Sequence, residues 1–206
     1  MNKMIIKINP NNPDPNLITQ AVNVLKGGGV IAYPTDTIYG LGCDIFSKSG
    51  IERIYKIKGR NWKKPLSFMC ADIKDISQYA QISNYAYKLM KHYLPGPYTF
   101  VLPAKLVVPK TFIPKQRTVG VRIPNHKICL SLAKELGRPI ITTSANFSDE
   151  PVFIDPQKIE EKMGHLLDLI IDGGILNDEP SSVISLLNDM PKILRRGLGD
   201  VSWIAG

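Results

Sequence analysis

Cations and hydroxyls carry the chemistry open to this sequence. Lys58 and Arg60 stand together in KGR, Arg122 in VGVRIP, and Arg195 beside Arg196 in ILRRG. Thr35, Thr37, Thr99, Ser144 and Ser181 add hydroxyls, and Asn146 adds a side-chain amide. A GxSxG elbow, an HExxH pair, a Walker loop and a GxGxxG turn are all missing. Such an inventory stabilises negative charge and orients an anionic substrate, with no obvious covalent nucleophile or dedicated proton shuttle. It suits phosphoryl or nucleotidyl transfer, where positioning and electrostatics do most of the work.

Each of these residues also has a plainer reading. Lys58 and Arg60 could be solvated charges that a helix C-terminus favours. Arg122 interrupts an apolar run between Val121 and Ile123. Buried without a partner it would cost on the order of several kcal/mol, so it meets either a structural carboxylate or an anionic ligand. Ser144 and Asn146 are turn-forming types that bond their own backbone. Pro34-Thr35-Asp36-Thr37 reads equally as a turn with a helix cap, and Pro95-Gly96-Pro97 as a structural stop.

The elements that must position these groups alternate between short apolar runs and amphipathic stretches, the pattern of an α/β domain. Strands are expected over Met4–Ile8, Val30–Tyr33, Leu66–Cys70, Thr99–Leu102, Thr118–Ile123, Pro139–Thr143 and Val183–Leu186, with a further apolar run at Asp168–Ile171. A helix starts at Asp14-Pro15, buries Leu17, Ile18, Ala21, Val22 and Leu25, and stops at Gly27-Gly28-Gly29. Ser49-Gly50-Ile51-Glu52 fits a capping box for a helix ending near Lys58 and Gly59. Further helices are expected over Tyr85–Leu94, Lys127–Leu136 and Pro156–Met163. Most of the hydroxyl and basic residues fall at strand ends, where open α/β sheets bind ligands.

With 206 residues, 44% hydrophobic and 21% charged, the chain is read as one globular domain and not a disordered one. Its formal charge of +8 suits a polyanionic partner such as nucleotide or RNA. No apolar run is long enough for a signal-peptide core or a bilayer span, so the cytoplasm is the expected compartment. Cys43, Cys70 and Cys129 are read as small core residues, and neither they nor His92, His126 and His165 show metal-ligand spacing. No protein-built metal site is expected.

One resemblance draws these motifs together. PTDTIYGLG at Pro34–Gly42, KGR with PL at Lys58–Leu66, PGPYTFVL at Pro95–Leu102, VGVRIPNH at Val119–His126, TSAN at Thr143–Asn146, SSVISL at Ser181–Leu186 and LRRG at Leu194–Gly197 occur in the order seen in the YrdC-like family of threonylcarbamoyl-AMP synthases. The similarity runs from about residue 10 to residue 200. It implies a single α/β YrdC-like domain with a twisted mixed sheet and flanking helices around an open basic cavity. The implied reaction takes L-threonine, bicarbonate and ATP to threonylcarbamoyl-AMP and pyrophosphate, for threonylcarbamoyladenosine in tRNA. A carbamate attacking the α-phosphorus of ATP is the charge-displacing chemistry that the cations and hydroxyls suit.

The resemblance also assigns roles. Lys58 and Arg60 match the family's KxR pair, and Ser144 and Asn146 its SxN pair, all four around the phosphates and reacting centre. Thr99 and Arg195 match ATP contacts. Thr35, Arg122 and Ser181 match threonine contacts, with Arg122 suited to a two-bonded carboxylate grip. ATP enters as substrate with Mg²⁺ held mainly by phosphate oxygens and water. Proteins that transfer the threonylcarbamoyl group are the implied partners, and a basic cavity is compatible with tRNA itself.

Three positions depart from the pattern: Met69 where some members have histidine, Asp149-Glu150 after the SAN motif, and Arg196 where proline is frequent. A branch of the superfamily keeps the fold but loses the KxR and SxN residues, and this chain keeps all four. The alternative is a non-catalytic RNA-binding module on the same fold, although no RNP-type platform or GXXG loop supports it. A carbamoyl-transfer domain without its zinc-finger cysteines and a serine hydrolase without a histidine partner rank lower.

Overall fold

The computed structural model describes residues 5–59, 66–108 and 117–204. Ten strands form one mixed sheet: β1 (Ile5–Lys7), β2 (Ile31–Tyr33), β3 (Gly40–Asp44), β4 (Ser67–Met69), β5 (Tyr98–Pro103), β6 (Thr118–Arg122), β7 (Ile140–Ser144), β8 (Leu169–Asp172), β9 (Ser182–Ser185) and β10 (Lys192–Arg195). Their spatial order is β1-β8-β2-β3-β7-β4-β6-β5-β9-β10. Among the described residues six α-helices flank it: α1 (Pro15–Lys26), α2 (Lys48–Lys58), α3 (Ile73–Tyr79), α4 (Asn84–Tyr93), α5 (Lys127–Leu136) and α6 (Pro156–Met163).

Strand alternation divides the core in two. On one face Phe68, Phe100, Leu102, Val119, Val121, Ile141 and Ile184 pack under α2, α3, α4 and α6. On the other, Ile31, Tyr33, Met69, Ile140, Leu169 and Ile171 pack under α1 and α5, through Ala21, Val22, Leu25, Ile128 and Leu132. These two helices lean together and cover only part of their face. Beyond them, from β7 to β9, the same face turns Ser67, Thr99, Gly120, Thr142 and Ser144 to a hollow.

Every expected strand and helix is present, with ends moved by one or two residues; α5 and α6 have the expected bounds. The cap of α2 differs. Ser47, not Ser49, accepts the Gly50 N–H at 3.0 Å, so the helix starts two residues early and no capping box forms with Glu52. Gly59 ends it in the left-handed conformation at φ 57°. Three elements were not anticipated: β3 inside the glycine-rich PTDTIYGLGCD stretch, α3 capped by Asp72, and β10 at the sheet edge. Cys43, Cys70 and Cys129 are buried as expected, and burial pushes each thiol well above its ordinary range.

Candidate functional site

Thr35, Thr99, Arg122, Ser144, Asn146, Ser181 and Arg195, far apart in sequence, all line one cavity of about 450 Å³. The floor is the uncovered part of the sheet, where alternate residues of β7, β4, β6 and β5 point out of the apolar core. Thr35 comes from the loop after β2, Ser181 from just before β9 and Arg195 from the end of β10 at the far wall.

Arg122 joins the floor to the loop after β2. Its Nη2 donates to an Asp36 carboxylate oxygen, to Thr37 Oγ1 at 2.6 Å and to Thr35 Oγ1 at 3.4 Å. Both side chains of the Arg122–Asp36 pair are 11% exposed, so this ion pair is largely out of water. Asp36 accepts a second bond, from the Asn125 N–H at 2.9 Å. Sequence left two options for Arg122, a structural carboxylate or an anionic ligand. The structure supplies the carboxylate and still leaves the guanidinium on the cavity wall.

The far wall is a second network. Thr99 Oγ1 and Ser181 Oγ lie 2.9 Å apart, and Arg195 donates to Ser181 O at 2.8 Å from Nη2 and 3.2 Å from Nε, and to Ser181 Oγ at 3.3 Å. Burial and the charge of Arg122 both pull the Arg195 pKa down from its ordinary value. Two guanidinium groups thus repel each other across one cavity, and an anion between them would relieve that repulsion.

Lys58 is not the solvated helix-end charge of the plainer reading. It is 3% exposed. Its ammonium donates to Asn146 O at 2.6 Å, Ser144 O at 2.9 Å, Ser144 Oγ at 3.4 Å and Asn146 Oδ1. Ser144 Oγ in turn donates to Asn146 Oδ1 at 2.7 Å, and Asn146 Nδ2 to Glu150 O at 2.6 Å. Lys58, Ser144 and Asn146 are therefore one hydrogen-bonded cluster, with the two SxN residues facing the cavity and the lysine behind them. Arg60 lies outside the described residues.

The departures from the family pattern fall away from the cavity wall. Asp149 and Glu150 are exposed and border a second hollow behind Lys58, with Arg53, Lys56 and His165. Met69 is buried in the apolar core under α1 and α5. Arg196 is exposed.

Sequence reasoning gave no role to Asp36, although it stands in the PTDT motif, because its partner is 86 residues away. Ser67 and Thr142 were also passed over. Their signal was the hydroxyl at alternate positions of SFM and IITTS, where a fully covered strand would be apolar.

The Sua5/YciO/YrdC family model, described as telomere recombination, matches residues 23–197. YciO of Escherichia coli K12, named an uncharacterized protein, is 40% identical over 196 residues, 94% of this chain and 95% of its own. A crystal structure of E. coli YciO matches with a TM-score of 0.93 at 39% identity, over 98% of this chain and 99% of that one. Mouse threonylcarbamoyl-AMP synthase is 37% identical over 161 residues, 78% of this chain but 57% of its own length. Sua5 of Pyrococcus abyssi, crystallised with L-threonine, matches with a TM-score of 0.89 at 34% identity, over 94% of this chain and 57% of that one. The chain thus spans nearly all of YciO and little more than half of these two larger relatives. By sequence and by fold, it belongs to the Sua5/YciO/YrdC family.

Proposed function

We propose that this cavity makes threonylcarbamoyl-AMP from L-threonine, bicarbonate and ATP, as an intermediate for threonylcarbamoyladenosine in tRNA. The observation that carries the reading is convergence: two guanidinium groups, Arg122 and Arg195, and the SxN pair meet at one hydroxyl-lined hollow. Support also comes from relatives named for that activity and from the P. abyssi relative complexed with L-threonine.

The geometry supports these roles. All the side-chain hydrogen bonds of Arg122 to described residues leave from Nη2, so Nη1 remains for a threonine carboxylate, beside Thr35, whose hydroxyl donates to Ile38 O at 2.7 Å and shapes the same wall. That is a narrower contact than the two-bonded grip expected from sequence. The threonine amine attacks the bicarbonate carbon; a C–O bond breaks, and water leaves with the proton shed by nitrogen. One oxygen of the resulting carbamate attacks the α-phosphorus of ATP. The bond to the β-phosphate breaks, and pyrophosphate leaves with the electron pair.

Ser144 and Asn146, stiffened by Lys58, face the phosphates, and Thr99, Ser181 and Arg195 hold the far side. Arg60 joins the phosphate clamp by its motif. The lining offers hydroxyl, amide and guanidinium groups, so a Mg²⁺ arriving with the triphosphate would ride on phosphate oxygens and water and neutralise their charge. Separate transfer proteins would carry the threonylcarbamoyl group to tRNA, a reaction set that belongs in the cytoplasm. No helix of the described residues is long and apolar enough to cross a membrane.

Pyrophosphate release from ATP, with threonine and bicarbonate omitted in turn, tests this reading. Release is expected only with both present. Equal release without either would mark a simple ATPase, and RNA binding with no release at all would favour the binding-module alternative.

A further inference from the structure

Two hydroxyls on the cavity floor, Ser67 and Thr118, have no assigned role and bond no described residue. Thr99 bonds Ser181, Thr142 Oγ1 sits 2.5 Å from Tyr33 Oη, and Ser144 bonds Asn146. Thr118 stands at the Ser144 end of β6, whereas Ser67, on β4 between β7 and β6, is one step further in on the same cavity floor.

Its position is set by the ladders. Ser67 pairs with Gly120 on one side and Thr142 on the other. Two residues further along β4, Met69 pairs with Arg122; two residues the other way, β7 brings up Ser144. At about 3.3 Å per residue, Ser67 stands about 7 Å along the strand from the level of each. On the ladder it therefore lies midway between Arg122, whose guanidinium is assigned to the threonine carboxylate, and Ser144 of the SxN pair assigned to the phosphates. In a threonine carbamate about to meet ATP, the group between those two ends is the N-carboxylate.

Gly120 keeps this place open. A Cβ there would stand 2.6 Å from Ser67 Oγ and 3.3 Å from Thr99 Cγ2, so the Ser67 hydroxyl leans over the bare Cα of Gly120. Any side chain at 120 would turn the hydroxyl away.

We propose that Ser67 is a substrate-contacting residue whose hydroxyl donates a hydrogen bond to the carbamate carboxylate formed from bicarbonate, and that Gly120 is the gap that lets it do so. The inference rests on the synthase reading of the cavity. The hydroxyl holds the oxygen that does not attack, which aims the other at the α-phosphorus. It loses no proton and enters no covalent bond.

The full chain serves for the test. Wild type, Ser67→Ala, Gly120→Ala and the double variant are compared for pyrophosphate release, with bicarbonate varied at saturating threonine and ATP. Threonine binding without bicarbonate is titrated calorimetrically. Losing a hydrogen bond to a charged group should lower kcat/KM for bicarbonate about 10- to 100-fold in Ser67→Ala, with threonine Kd within about twofold of wild type. Gly120→Ala should lose a similar amount, and the double variant little more than either alone, because both changes remove one contact.

A bicarbonate kcat/KM within twofold of wild type in Ser67→Ala overturns the proposal. So does an equal loss of threonine affinity, which would make Ser67 a general part of the wall. Additive losses in the double variant would break the link to Gly120. A wild-type chain that binds threonine yet releases no pyrophosphate would remove the synthase reading itself, before any variant is read.

Discussion

The two halves of one sheet face differ by a few side chains, and that difference makes the cavity. Under α1 and α5 the strands present Ile31, Tyr33, Ile140, Leu169 and Ile171, and the helices seal them from water. From β7 to β9 the same pleat presents Ser67, Thr99, Thr142, Ser144 and Gly120, and the hollow stays open. The border runs through single strands: Ile140 is covered and Thr142 is not, and Met69 is covered while Ser67 is not. Apolar residues attract a covering helix through the area they remove from water, and hydroxyls give no such gain. The site is thus a stretch of sheet whose residues decline a helix.

The largest effect separates the halves by stability. Leu132 on α5 is fully buried in the covered half. Leu132→Ala should lower unfolding free energy by about 2–5 kcal/mol. Thr118→Val, on the cavity wall, should change it by less than about 0.5 kcal/mol, because it disturbs no close packing. Denaturant titration of both variants decides. Similar losses in the two would mean that the open half is packed as a core, and the contrast would fail.

The next largest effect is expected at Lys58. On the synthase reading, Lys58→Ala should cut pyrophosphate release about a hundredfold or more, the scale for losing a charge donor near the transition state. A solvated helix-end charge would leave stability almost untouched. The buried ammonium and its four oxygens predict otherwise: about 1–3 kcal/mol should be lost with it. Initial rate and melting temperature on one variant separate the cases. A normal melting temperature with a slow rate would mean that Lys58 acts on substrate alone and does not stiffen the SxN pair.

Lys58 also shows where sequence reasoning stops. Its helix, its place at the C-terminus and the glycine after it were all legible, because they depend on neighbours in the chain. Its burial was not, since the acceptors lie 86 and 88 residues further on. Arg122 was half legible: a charge inside an apolar run demands a partner, but the run does not say which. Glycine hid β3, whose low strand propensity is overridden by its place between β2 and β7. The cavity itself was foreseen only through the family likeness. Period-two alternation marks strands, and it does not say which half of a face a helix will cover.

The smallest expected effect is at the border. His126 stands at the start of α5, and its Nδ1 is buried with no hydrogen-bond partner among the described residues. Burial pulls its pKa below the ordinary 6.5; Asp36 opposes that shift, and Arg122 adds to it. The unfolded chain then takes up a proton at higher pH than the folded one. Stability should be complete above about pH 6.5 and decline as pH falls through the lower folded value. Between about pH 7.5 and 5.5, above the usual carboxylate range, the wild-type melting temperature should therefore fall more than that of His126→Gln. One proton limits the difference to less than about 1.4 kcal/mol per pH unit. Parallel melting curves would mean that His126 is hydrated in solution and that water reaches the border between the halves. A steeper fall in wild type would instead place the edge of the dry core at His126, where α5 meets the Asp36–Arg122 pair and the open floor begins.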